Sequence, residues 1–495
     1  MRKVGVTLGF IENVQKVTEH KKVNQGNGHF ELVDVNKDLY KGFLDDWHTL
    51  DYRNSYGQPK QRKVMSMKMA KVSAQHMAKV TVNEGFTVNI DGESRKEAKE
   101  LIESVLYHPH FKREFRRYIE YMFALSGMAV KVGYDSEYNI KAYFANADSF
   151  YSLSNDSENV DEALLVNSFQ RGDDYYKLFE WNEWINGQYT ISLELFKSGD
   201  KGSLGDKVAL SSLYPNLQPK TIVSNVTRPT FVYFKPGIAN NLDLTSPYGI
   251  SIFENAKDTM KQLDYMFDFF FREFRNGQAR ISVPRSMVRT VVDEAGNTQQ
   301  VFDPEENVYA GIGHDEDGVK NMTIELRAND IITSINFMLR IFATQIGLTA
   351  GTFTFDGTAV KTATEIVSQD SETYQTRNDH LSVLREGLKD LCLSIVEMHN
   401  NLAKYPSVNK QPIVFDRDDV EIDFDDSLFK DKDSELDYYI KLLGVKGISR
   451  KQFLMSFRNM TEEDATAELE SINNEELFEM MAASTQESAL LGETE

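Results

Sequence analysis

Few residues in this 495-residue chain have the types and spacing that catalysis needs. The nearest approach to a phosphate loop is Gly199–Val208, GDKGSLGDKV. It lacks the spacing and the closing Lys-Ser/Thr that cradle a nucleotide's phosphates, so ATP hydrolysis is not expected. Neither a G-x-S-x-G elbow nor H-E-x-x-H occurs. His108-Pro-His110 could bring two imidazoles together, but no carboxylate stands at ligand spacing, and a surface turn is the expected use. The acidic run Asp416–Asp426 offers oxygen ligands for a cation without the glycine and terminal glutamate of an EF-hand loop. Its DVEIDF alternation fits a strand with one wet face equally well. Paired carboxylates arise by chance among 76 acids and single out no hydrolase site. Cys392 is the one cysteine, so an intrachain disulfide and a cysteine-based zinc site are excluded. Between Leu391 and Leu393 it reads as a small packed residue. The expectation is no enzyme, no metal and no cofactor.

The elements carry more information than the candidate chemistry. Residues 53–79 hold seven cations (Arg53, Lys60, Arg62, Lys63, Lys68, Lys71, Lys79) and no acid, which reads as a solvated helix face or a binding patch. Val64, Met67, Val72, Met77 and Val80 predict one helical stripe there. Ser94 with Glu97 resembles a capping box for a helix over 95–107, ended by Pro109. A helix over 111–125 follows, closed by Gly127. From Met128 the period becomes two. MAVKVGYD and NIKAYFA read as a hairpin turning at Ser136–Asn139, and three more strands follow with a turn at Asn186-Gly187. Ser198–Arg228 is loop-like.

Phe253, Ala256, Met260, Leu263, Phe267, Phe270 and Phe274 then recur at alternating spacings of 3 and 4, an unbroken heptad seam. Phe269 and Phe271 add apolar surface off the seam, and Asn276-Gly277 stops the helix. Short strands and a hairpin follow, then a helix over 329–346 with Ile331, Ile335, Leu339, Phe342 and Ile346 as its stripe. Gly347–Thr358, with three Gly and four Thr, reads as a loop. A long helix over 361–403 has a polar first half and a second half carrying Leu381, Leu384, Leu388, Leu391, Ile395, Met398 and Leu402. Its polar half is expected to face water or line a wet cavity. A strand with acidic flanks and helices near 433–443, 449–457 and 461–471 complete the chain.

Composition bounds the class. About 41% hydrophobic and 11% aromatic residues can build cores, so wholesale disorder is excluded. Net charge is −21, from 55 basic and 76 acidic residues. That argues against a basic nucleic-acid clamp but not against a protein that lets nucleic acid pass. Residues 412–495 hold 22 acids and 8 bases, a net of −14, leaving −7 for the rest. The N-terminal MRKVGVTLGFIENV lacks a secretory apolar core, and no window approaches the ~18 apolar residues of a membrane span. A soluble protein made in a reducing cytoplasm is expected.

Four stretches in order resemble the portal proteins of tailed bacteriophages, of the long-tailed type with gram-positive hosts. SPYGISIFENAKDTMKQLDYMFDFFFREFRNGQARISVP is similar to a portal stem, and MSMKMAKVSAQHMAKVTVNEGFTVNI to the helix leading into the wing. IGLTAGTFTFDGTAVKTATEIVSQDSETYQTRNDH resembles the tunnel loop and following helix, and DVEIDFDDSLFKDKDSELDYYIKLLGVKGISRKQFL the wing strand and crown. The resemblance implies an α+β portal-type fold, one subunit of a closed ring of twelve. It implies an N-terminal part and wing over 1–245, stem helices over 246–276 and 328–346, and a β-rich clip over 277–327. A tunnel loop over 347–360, a wing helix and strand over 361–429, a helical crown over 430–475 and an acidic tail over 476–495 complete the layout.

The function implied is mechanical. Double-stranded DNA would be packaged and ejected through the ring at one capsid vertex of the virion. Implied partners are further copies of the chain, terminase, a head-completion adaptor, and major capsid and scaffolding proteins, with no membrane. Thr349, Thr352, Phe353, Thr354, Phe355, Asp356 and Lys361 would lie closest to DNA. Phe253, Met260, Leu263, Phe267, Phe270 and Phe274 would form the stem interface. On this layout the basic run falls in the wing, where capsid contacts are implied, and the acidic excess in the crown. The competing readings are another head–tail component, such as a minor capsid protein or adaptor, and an acidic hydrolase.

Overall fold

The computed structural model describes residues 28–277 except 54–56, 83–84, 91, 93–94, 136 and 156–158. It also describes short strands between 281 and 321, then 325–355, 371–424 except 404, 406–407 and 409, and 439–472 except 459 and 461–463. Two compact units result, residues 1–424 and 425–495.

The first unit begins with α1 (His29–Lys41) and a single turn, α2 (Asp45–His48). A two-stranded hairpin of β1 (Thr49–Arg53) and β2 (Pro59–Lys63) follows, then α3 (Met69–Thr81), β3 (Phe86–Ile90), α4 (Lys96–Leu106) and α5 (Pro109–Leu125). The basic run is therefore not one helix face: Arg53, Lys60, Arg62 and Lys63 ride on the hairpin, and Lys71 and Lys79 on α3. The expected stripe on α3 is also corrected. The helix starts at Met69, after Val64 and Met67, and Val72 is exposed. Its inward face is Met69, Ala70, Ser73, Ala74, Met77, Ala78 and Thr81. Small residues took that face because α1, α5 and a later helix all pack closely on α3.

Two boundaries differ from expectation for local reasons. Pro109 does not end a helix. It opens α5 at the first position, where its missing N–H is not needed, and His108 Nδ1 caps the turn by accepting from the His110 N–H at 3.2 Å. Ser126, not Gly127, takes the left-handed C-terminal position, with φ 80°. Ser94 lies outside the described residues.

The β region is antiparallel, as the period of two requires. β4 (Met128–Tyr134) pairs with β5 (Ile140–Asn146), and β12 (Phe231–Phe234) adds to the other edge of β4. A longer meander runs β6 (Phe150–Asn155), β7 (Val160–Arg171), β8 (Asp174–Ile185) and β9 (Gln188–Ser198). Asn186 (φ 51°) and Gly187 (φ 76°) make its last turn in the left-handed pair that a two-residue hairpin favours. The loop-like stretch after β9 holds two short strands, β10 (Asp206–Val208) and β11 (Lys220–Val223), which share the free edge of β9.

Next come α6 (Lys257–Asn276) and five short strands, β13 (Ile281–Val283), β14 (Val291–Val292), β15 (Thr298–Gln299), β16 (Val308–Ala310) and β17 (Lys320–Asn321). β14 and β15 form the expected hairpin, while β13 lies between a parallel β16 and an antiparallel β17. Then follow α7 (Ala328–Gln345), the described part of the long helix, α8 (Ser371–Ala403), and β18 (Val420–Phe424). The alternation of β18 is as read: Val420, Ile422 and Phe424 are buried, Glu421 and Asp423 exposed, and the strand pairs with β3 from the far end of the chain.

All seven apolar residues of the second half of α8 are buried and join a core with α3, α4, β4, β12 and β18. Gly387 permits this approach, since a Cβ there would stand 2.5 Å from the Phe234 ring. Cys392 lies fully buried in that core, and burial pushes its thiol well above the ordinary range. A second core under the meander gathers Phe150, Tyr151, Leu164, Phe179, Trp181, Phe231 and Tyr248.

The second unit is helical where described: 439–444, α9 (Arg450–Phe457) and 464–472. Ser449 caps α9 through the Gln452 N–H. Tyr439, Phe453 and Phe457 stack into its small core, with centroids 5.3–5.9 Å apart. Thr461 and residues 433–438 and 476–495 lie outside the described residues.

Candidate functional site

α6 and α7 run antiparallel. Arg327, just before α7, donates from Nε and Nη2 to the two oxygens of Glu273, near the end of α6, at 3.0 Å each. This two-pronged bond holds the Glu273 carboxyl below the usual carboxylate range. The guanidinium also lies 5.7 Å from the Phe269 ring centroid.

The heptad seam divides along its length. A short 3-10 turn, Glu254–Ala256, precedes α6, so Phe253 stands ahead of the helix rather than in it. Phe253, Ala256, Met260 and Leu263 are 0–3% exposed and join the core that also holds the α7 stripe of Ile331, Ile335, Leu339, Phe342 and Ile346. Phe253, Met260 and Leu263, expected at a stem interface, are packed inside the chain by α7 and the main core. Phe267 and Phe270 are half-buried, and Phe274 is 43% exposed. With Phe269 (41%), Phe271 (44%) and Phe337 of α7 (61%), they leave apolar surface open on the helix pair. Edge-to-face contacts at 5.0 Å (Phe267–Phe271) and 4.9 Å (Phe270–Phe274) hold the rings together.

The sequence reading missed the acids of α6. Asp264 accepts from His48 Nε2 at 2.9 Å, the Met67 N–H at 2.6 Å and the Ser66 hydroxyl at 3.2 Å. One turn on, Asp268 takes Arg62 at 2.8 Å and the Met65 N–H at 3.3 Å. Both carboxylates are buried. Together they lock the base of the β1–β2 hairpin onto α6. The available signal was two acids four residues apart on a helix otherwise rich in phenylalanine.

The Gly/Thr stretch is a loop, as read, through Phe355. Gly347 turns it with φ 74°. Thr349 then binds Thr373 twice, through its N–H at 3.0 Å and between hydroxyls at 2.9 Å. The Thr352 hydroxyl donates to the Thr349 carbonyl at 2.6 Å, and that of Thr354 to the Gly351 carbonyl at 3.1 Å. The two phenylalanines part company. Phe353 turns inward, 5.9 Å from Phe342 and 5.6 Å from His76. Phe355 is 70% exposed, its N–H held by Asn336 Oδ1 at 3.1 Å. Asp356 and Lys361 lie outside the described residues.

The polar half of α8 is less wet than expected. Thr373, Arg377 and His380 form a buried stripe that continues into Leu381 and Leu384. Arg377 Nε donates to the Val80 carbonyl at 2.9 Å, and His380 Nδ1 accepts from the Gly237 N–H at 2.9 Å. These polar side chains point inward because neighbouring backbone groups there need partners. Burial pushes His380 down to about 4, so its ring is neutral near neutral pH.

The remaining candidates are structural. Asp416 caps the turn Arg417–Asp419, Asp419 pairs with Arg95, and Asp423 takes Asn89 at 2.6 Å. Among the described residues, no three His, Cys, Asp or Glu side chains gather as a metal site. A cleft of about 1550 Å³ lies among α1, α5, β7 and β8, and four of its charged residues pair across it, Lys37 with Asp148 and Lys131 with Glu180. No described helix is long and apolar enough to cross a membrane.

No curated protein matches this chain. Among solved structures, a chain from the neck of an empty gene transfer agent (GTA) particle, computed with C6 symmetry, is 10% identical with a TM-score of 0.39, covering 78% of this chain and 89% of its own. A chain from the virion of the native particle is also 10% identical at TM-score 0.39, covering 91% and 98%. One from the native neck, computed with C12 symmetry, is 8% identical at 0.35, covering 78% and 89%. The family described as phage portal protein, SPP1 Gp6-like, matches residues 19–479, and the chain belongs to that family.

Proposed function

We propose that this portal-family chain closes into a ring of twelve copies, through which double-stranded DNA enters and leaves a phage capsid. The observation that carries the proposal is the aromatic surface left open on the α6–α7 pair. A closed ring of identical subunits uses head-to-tail interfaces, so each copy needs two different adhesive faces. Phe269, Phe271 and Phe274 of α6 supply one, and the side of α7 bearing Phe337 supplies surface for the other. The pair then acts as the stem, with residues 277–327 as a clip that receives terminase and later a head-completion adaptor. Residues 28–245 with α8 and β18 form the wing, and 430–475 the crown. The loop Gly347–Phe355 narrows the channel, with Phe355 foremost and Phe353 as its anchor in the wall.

The role is mechanical: the ring positions a separate motor, and this chain carries out no chemical step. A net charge of −21 suits a channel that DNA must slide through, since each phosphate paired with Lys or Arg adds salt-dependent hold. The protein is made in the host cytoplasm and ends in the virion. Mass photometry of the purified chain tests the proposal. Rings far heavier than one 56.6 kDa subunit are expected, with no ATP turnover in the absence of a partner. A stable monomer at micromolar concentration, or robust turnover by the pure chain, overturns it.

A further inference from the structure

We infer that the β1–β2 hairpin is a binding arm for the phosphate backbone of duplex DNA, using Arg53, Lys60 and Lys63. The chain is acidic, yet this arm gathers its cations with a single acid among them, Asp51, which is held by Gln61 at 3.1 Å. Several cations elsewhere are neutralised: Lys37, Lys71, Lys131, Lys197, Lys207 and Arg228 each pair with a carboxylate. Among the described residues, no carboxylate pairs with Arg53, Lys60 or Lys63. Their other contacts position the charge without cancelling it. Arg53 donates to the Gly57 carbonyl at 3.0 Å, and the Lys63 ammonium lies 5.3 Å from the Phe43 ring centroid.

The second observation is how the arm is mounted. A lone two-stranded hairpin is marginal by itself. Here its base is fixed by buried groups: His48 on Asp264, and Arg62 with the Met65 N–H on Asp268. Arg62 is thus spent as the anchor, while the outer cations stand exposed on a rigid mount rather than on a floppy tail. The register puts Arg53 opposite Pro59 and Lys63 opposite Thr49 on one face, roughly 13 Å apart along the strands. Lys60 stands opposite the half-exposed Tyr52 on the other face. A two-stranded ribbon is an element that the DNA major groove admits, and cations on both faces would meet both of its phosphate walls.

The choice of DNA over another polyanion rests on the proposed function. The test separates the two. The full chain is titrated against a fluorescent DNA duplex by anisotropy, between about 50 and 200 mM salt. The same is done for R53Q/K60Q/K63Q and for K207Q, which removes an exposed lysine already paired with Glu194 at 2.8 Å. The triple variant is expected to weaken binding and lower the slope of log K against log salt by about 2.7, at about 0.9 per phosphate released. K207Q is expected to match the wild type. Binding and slope unchanged in the triple variant overturn the inference, as does no wild-type binding at about 50 mM salt. Loss of rings in mass photometry with an unchanged slope also overturns it, assigning the arm to a neighbouring copy. Absence of wild-type rings counts against the ring alone, because the slope is read on the chain in whatever state it adopts.

Discussion

Replacing Phe269, Phe271 and Phe274 together by serine should dissolve the ring without unfolding its subunit. Each ring is 41–44% exposed in the isolated chain. A phenylalanine offers about 200 Å² to bury, so the three leave roughly 250 Å² open. At about 25 cal/mol per Å² that surface is worth about 6 kcal/mol per contact if a neighbour covers all of it, and about 3 if it covers half. The concentration at which rings and free subunits balance should therefore rise between about 10²-fold and 10⁴-fold. Mass photometry across a dilution series reads that concentration. Far-UV circular dichroism and thermal melting of the dilute subunit provide the control: the spectrum should stay near wild type and the melting temperature should fall only modestly, because each side chain is partly packed on its neighbours while the core beneath is untouched. Rings persisting at wild-type dilution would refute the assignment. So would a large fall in the subunit's own melting temperature, since it would place the three rings in the chain's internal packing.

The loop separates its two phenylalanines by stability: Phe353→Ala should cost about 1–3 kcal/mol in urea unfolding, whereas Phe355→Ser should be within about 0.5. Equal effects would contradict the inward and outward placements. Asp264→Ala should cost roughly 3 kcal/mol, because the His48 Nε2–H and Met67 N–H lose a buried acceptor, and hydrogen exchange at the hairpin should rise with it. Unchanged exchange there would show that the anchor lies elsewhere. Burial holds His29 and His380 at about 4, below their ordinary 6.5. The unfolded chain therefore takes up their protons first as pH falls. The stabilisation is full above about 6.5 and is lost between about 6.5 and 4, at about 3 kcal/mol for each histidine. Asp34, pushed up to about 6 by burial, works in the opposite direction between about 6 and 4. Unfolding midpoints at several pH values should show a shallower acid loss in His380→Gln, and a parallel profile would contradict the burial argument.

Where one face of an element meets one environment, the residues alone were sufficient. The Leu381–Leu402 stripe, the alternation of β18, the Asn186-Gly187 turn and the stop at Asn276-Gly277 all follow from period and local backbone preference, which need no partner. The missing nucleotide loop and the ordered portal-like stretches were legible for the same reason, being properties of neighbours in sequence. Tertiary structure decided how each apolar surface is used. The seam from Phe253 to Phe274 is uniform in sequence, yet α7 and the core cover its first half and leave the second partly open, because coverage depends on which element comes to lie alongside. The same holds for polar groups. Thr373, Arg377 and His380, in the half of α8 expected to face water, and Asp264 and Asp268, which the sequence did not single out, become buried clamps because distant backbone and side-chain donors and acceptors reach them once the chain has folded. The basic run shows the difference most plainly. Its charge was countable from the start, but its division between a neutralised anchor at Arg62 and the outer cations Arg53, Lys60 and Lys63 depends on where α6 places one carboxylate.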